Sequence, residues 1–139
     1  MKDNWMIQDP DFYREMVTDF RHSATSDLAT LASRLGTWSK RESAPTPEEA
    51  GSCFELVHRL KGAAGTLGLD LVEGPLRQLE TMFAAARQDR IRLTPGFVKG
   101  LVSVVNQVNR LVEELDAARL MSSQMIPLRC DGVQKENPA

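Results

Sequence analysis

Cysteine is scarce in this 139-residue chain: Cys53 and Cys130 are the only two, and they show no C-x-x-C spacing. That pattern offers neither a zinc site nor a disulfide framework, and points to a reducing, cytoplasmic setting. No apolar run approaches the roughly 18 residues of a membrane span, and residues 1–10 lack the basic-then-apolar order of an export signal. Charge of one sign is also missing. A net charge of −2 argues against nucleic acid or an anionic membrane as a partner, because either would call for a basic face. No Gly-rich phosphate loop occurs, no Ser-His-Asp set is suggested, and a histidine without nearby carboxylates or thiols makes a poor metal site. The chain is therefore not expected to use ATP or a resident metal on its own.

What is present is helical periodicity. With 42% apolar residues the chain can bury a core, and its length favours one domain. Asp9 and Pro10 read as an N-cap and first helical residue, and Tyr13, Val17, Phe20, Ala24, Leu28, Leu31 and Leu35 then recur every three or four residues. The weak helix formers from Ser23 to Asp27 invite a bend, and Gly36 supplies a stop. His22 reads as an ordinary helical side chain. Thr37 to Pro45 reads as a loop, with Trp38 folded back on the helix ends.

Thr46, Pro47 and Glu49 form a capping box that opens a second helix, running through His58 to about Leu67 and ending at Gly68. Asp70 and Glu73 read as another capping box, so the third helix returns antiparallel after a very short turn. Its core stripe is Val72, Leu76, Leu79, Phe83 and Ala86, with Gly74 and Pro75 marking a kink or a later start. Thr94 and Pro95 open the last helix, where Phe97, Leu101, Val104, Val108, Leu111, Leu115 and Ala118 form the expected seam. Four amphipathic helices and no strand signal predict an all-α, antiparallel up-and-down four-helix bundle over residues 10–120. Residues 1–9, with Trp5, Met6 and Ile7, are expected to form a short capping segment, helical or not, and residues 121–139 a flexible tail.

The second helix carries the chemistry. With His58 set at zero, Lys61 falls at about −60°, Gly62 at about +40° and Gly65 at about −20°, on one side of the helix. Cys53, Leu56, Val57, Leu60, Ala63, Ala64 and Leu67 fall on the other. Each mid-helix glycine costs about 1 kcal/mol relative to alanine, so something other than helix stability is served. A bare patch beside an exposed imidazole lets another molecule approach it. A free imidazole titrates near 6.5, so the nucleophilic neutral form is abundant at pH 7. Phe54, at about −40°, either anchors a partner or folds into a groove beside a neighbouring helix. Glu55 and Arg59 form a polar rim.

The run His58-Arg59-Leu60-Lys61-Gly62-Ala63-Ala64-Gly65-Thr66-Leu67-Gly68 resembles the H-x-L-K-G-x-[AS]-x-x-[apolar]-G signature of histidine-containing phosphotransfer (HPt) domains of multistep two-component phosphorelays. Leu79 and Glu80 are similar to that family's third helix, and the likeness spans about residues 10–118. Pro75 and the long loop after Thr37 depart from the pattern. The resemblance implies that His58 accepts a phosphoryl group at Nε2 from a receiver aspartate and passes it to another receiver. Lys61 would position or neutralise that group, and Gly62 and Gly65 would clear the approach. The implied partners are receiver domains of response regulators and of a hybrid histidine kinase. Mg²⁺ would be carried by the receiver, with no cofactor on this chain, which is expected to be a monomeric phosphotransfer intermediate without kinase activity of its own. Two alternatives stand beside it: a helical module that binds a regulator without being phosphorylated, and the dimerisation half of a histidine kinase. The latter calls for an acidic residue after the histidine, where this chain has Arg59.

Overall fold

The computed structural model of the chain describes residues 9–115. Four helices form within them: α1 (Pro10–Ser39), α2 (Pro47–Thr66), α3 (Asp70–Arg87) and α4 (Pro95–Glu113), with no strand among the described residues. Each helix packs on its neighbours in chain order, and α4 closes the ring on α1, as an up-and-down bundle requires. The α2–α3 seam is the most extensive and the α1–α2 seam the thinnest. The capping segment expected over residues 1–9 and the tail expected over 121–139 lie, apart from Asp9, outside the described residues.

The polar ends are closed by the residues their chemistry selects. Asp9 accepts from the Phe12 amide, and Thr94 from that of Phe97. Both halves of the Thr46–Glu49 capping box are made, and the Arg41 guanidinium pairs with the same Glu49 carboxylate. The Arg41 and Thr46 hydrogen bonds hold the Glu49 carboxyl well below the usual range, at about 2. α2 ends in a Schellman turn, with the Leu69 amide donating to the Ala64 carbonyl and Gly68 to that of Gly65. Gly68 has φ 72°, a left-handed conformation that glycine takes without a Cβ penalty.

Expectations change in three of the helices. α1 does not stop at Gly36 but runs on to Ser39. Trp38 is buried and meets Phe83 edge to face, with ring centres 6.5 Å apart, so burial of a large ring outweighs one helical glycine. The Ser23–Asp27 stretch stays helical. Ala24 and Leu28 are buried, and the Thr25 hydroxyl bonds back to the Arg21 carbonyl.

Asp70 is not an N-cap, because Leu69 holds that position without a side-chain bond. Leu69 is almost fully buried, and the core fixes the helix start one residue earlier than the polar signal. Asp70 then sits in the first turn, where a negative charge is still favoured. α3 begins there and runs through Pro75 with no later start.

The seam of α4 is rotated by about 60° from the expected one. Val98, Leu101, Val105, Val108 and Val112 are buried, Phe97 is 43% exposed, and Val104, Leu111 and Leu115 lie at the edge. Both sets share Leu101 and Val108 and both obey the three-four spacing, so periodicity alone did not choose between them. Ala118 lies outside the described residues.

Candidate functional site

His58 projects from the middle of α2 onto the outer side of the α2–α3 seam, with 60% of its side chain exposed. The turn at Gly68 and Leu69 makes α3 run back along α2, and it sets Glu80, eleven residues after Leu69, opposite His58, eleven before it. The Glu80 carboxylate is largely buried and uses both oxygens. Oε2 lies 2.5 Å from His58 Nδ1, and Oε1 lies 2.8 Å from Lys61 Nζ.

This geometry selects one ring nitrogen. A carboxylate can only accept, so the imidazole keeps its proton on Nδ1 and donates a hydrogen bond to Glu80. Nε2 then carries the lone pair. Partial burial opposes charge on Glu80, but the hydrogen bonds to Lys61 and His58 outweigh it and hold the carboxyl below the usual range. Glu80 is therefore an ionised acceptor. A histidine without a nearby carboxylate was expected from sequence, and the fold corrects that by bringing one from the neighbouring helix. No group of three or more His, Cys, Asp or Glu residues suited to a metal occurs among the described residues.

The remaining residues singled out from sequence fall on the same seam or beside it. Lys61 is half-buried and turned toward Glu80. Phe54 is half-buried and stacks on the His58 ring, with centroids 5.4 Å apart and planes 13° from parallel. Glu55 pairs with Arg87 at 3.1 Å, and Arg59 reaches across the thin α1–α2 seam to Asp27 at 3.2 Å. A Cβ added at Gly62 would meet nothing within 4 Å, and one at Gly65 would only touch Glu73 at 3.5 Å. Packing within the chain demands neither glycine. The predicted core face of α2 is confirmed except for Ala63, which is exposed.

Three residues of this surface were missed: Glu80 as a bonding partner, Arg87, and Gly51. The antiparallel turn would have located the first two, since residues equally distant from Leu69 face each other across the seam. Cys53 is buried in the core, and burial pushes its thiol up despite a nearby Arg34. It offers no nucleophile. His22 is exposed on α1, apart from the site. Among the described residues no helix is long and apolar enough to cross a membrane.

A family model described as Hpt domain matches residues 15–119. No curated protein and no solved structure matches the chain.

Proposed function

The chain belongs to the Hpt domain family, whose members perform histidine phosphotransfer in phosphorelays and interact with receiver domains, and on that premise we propose that His58 is the phosphoacceptor of this chain. The observation that carries the proposal is the bond from His58 Nδ1 to Glu80, which leaves the lone pair on Nε2 in a side chain that is 60% exposed.

The step needs no proton transfer. Nε2 attacks the phosphorus of a receiver's aspartyl phosphate, the N–P bond forms, and the P–O bond to the aspartate breaks. Its electron pair leaves as the receiver's carboxylate. Nδ1 keeps its proton, so the ring becomes cationic as the bond forms, and the negative Glu80 beside it stabilises that charge. Phosphoryl transfer asks for attacking atom, phosphorus and leaving atom in line, with little covalent work left to the protein. A nucleophile fixed on a rigid helix and bare at Gly62 and Gly65 suits that demand. Lys61, one turn from His58, orients Glu80 and supplies a cation near the incoming phosphoryl group. The receiver's aspartate site supplies the Mg²⁺. Return of the group to another receiver aspartate reverses the same bonds.

The test is transfer of label from a phosphorylated receiver domain with Mg²⁺. Wild-type chain takes up acid-labile label, and His58→Gln takes up none while staying folded with its helical content kept, because 60% of the side chain is exposed. Binding without label across a panel of receivers would replace the proposal with a non-catalytic interaction module. Labelling of His58→Gln would move the acceptor elsewhere.

A further inference from the structure

The hydrogen bond to Glu80 holds His58 only at one edge. A side chain in a helix leans toward the preceding turn, and this brings the imidazole over residue 54. There the Phe54 ring lies nearly parallel to it, at 5.4 Å between centroids. Phe54 is itself held: the Arg87 guanidinium carbon stands 4.0 Å from its ring centre, and Arg87 Nη1 bonds Glu55 at 3.1 Å. Arg87 crosses from α3 where α2 has Gly51. A Cβ at Gly51 would stand 3.1 Å from Arg87 Cδ, closer than most real contacts, so the glycine makes room for the arginine stem.

A single bond at Nδ1 is a pivot. Tethered at Cγ to Cβ, the ring can still rock about its Cα–Cβ and Cβ–Cγ bonds within the tolerance of that hydrogen bond and carry Nε2 with it. The Nε2 lone pair lies in the ring plane, so in-line attack fixes that plane as well as the position of the atom. A flat partner against the face of the ring removes the remaining freedom. We propose that Phe54, held by Arg87 across the gap at Gly51, is a positioning residue that sets the plane of the His58 imidazole for phosphoryl transfer. This role rests on the phosphotransfer reading of His58. A docking anchor would need a ring open to the partner, whereas Phe54 packs against the core and is overlaid by Arg87.

Two phosphodonors separate positioning from docking. Phosphoramidate is a small donor whose P–N bond breaks with loss of ammonia as Nε2 binds phosphorus, and it requires no protein surface. Phe54→Leu keeps apolar volume but removes the flat ring, and slows labelling of His58 about tenfold with phosphoramidate and with a phosphorylated receiver alike. That is a fraction of the roughly hundredfold cost of misplacing a reacting group by 1 Å. Phe54→Tyr, which keeps the ring, restores the rate with both donors. Arg87→Ala leaves Phe54 in place but loosens it, and the His58 ring protons lose part of the upfield NMR displacement that a stacked phenyl ring imposes.

Slowing of Phe54→Leu with the receiver alone would make Phe54 a docking residue and overturn the proposal. Unchanged His58 ring-proton shifts in Arg87→Ala would overturn the part assigned to Arg87. If neither donor labels wild-type chain, the phosphotransfer reading fails, and the positioning role fails with it. If wild type is labelled and Phe54→Leu is labelled equally fast by both donors, only the positioning role fails.

Discussion

At the scale of single residues, the side chain with the most consequences is Glu80, which bonds both groups that matter, His58 and Lys61. It fixes the tautomer by accepting the Nδ1–H hydrogen bond, and on the proposed reading its charge stabilises the phosphorylated ring; two substitutions separate these effects. Glu80→Gln keeps an oxygen that accepts from Nδ1 but loses the charge. Labelling of His58 falls about tenfold, with the tautomer unchanged in long-range ¹H–¹⁵N spectra. Glu80→Ala loses both, the tautomers mix, and labelling falls about a hundredfold. Equal rates for Gln and Ala would mean that charge, not tautomer, carries the effect. The pH dependence has a definite sign. The folded Glu80 carboxyl lies below its ordinary value, so the bond's contribution to stability is complete above the unfolded pKa. It is lost only as pH falls through the lower folded value, which a carboxyl ¹³C titration reads directly.

At the scale of the element, α2 carries three glycines on its outer side, and they do different work. Gly51 is occupied from outside by Arg87, whereas Gly62 has empty space where a Cβ would be. Gly62→Ala therefore gains the helix propensity that glycine gives up, about 0.5 to 1 kcal/mol in a denaturant melt, with no internal clash to offset it. The added methyl stands one turn from His58 on the side a partner must approach. Transfer from a phosphorylated receiver slows several-fold, while labelling by phosphoramidate is unchanged. A variant that is more stable and equally fast with both donors would mean that Gly62 leaves room for nothing.

The same helix shows what was readable in advance. Thr46, Pro47 and Glu49 announced its start because a capping box is local chemistry, and Gly68 announced its end because only glycine readily takes φ 72°. His58, Lys61, Gly62 and Gly65 were legible as one stripe because helical angle depends on sequence spacing alone. Glu80 and Arg87 were not, since they reach the site across a seam and their placement depends on how α3 docks. The α4 seam failed for a related reason: Phe97 and Val98 start two stripes of equal spacing, and only the neighbouring helices decide between them.

At the scale of the molecule, the site and the core lie on opposite sides of the same two helices. Leu79 and Phe83 are fully buried, while Glu80 between them turns to the outer seam. Stability and the proposed phosphotransfer are thus assigned to different faces, and a core substitution should separate them. Phe83→Ala removes a buried ring that packs against Trp38, at a cost of about 3 to 5 kcal/mol. That is a large share of the roughly 5 to 15 kcal/mol typical of a domain, so a measurable fraction of the chain unfolds. The surviving folded molecules keep the Glu80–His58 bond, and their labelling rate, divided by the folded fraction from a urea melt, stays within about twofold of wild type. Phe97→Ala is the control on α4, because a ring 43% exposed outside the buried seam costs less than about 1 kcal/mol. A labelling loss in Phe83→Ala larger than the loss of folded protein would show that the bundle core holds α3 in register for Glu80 as well as holding the fold together.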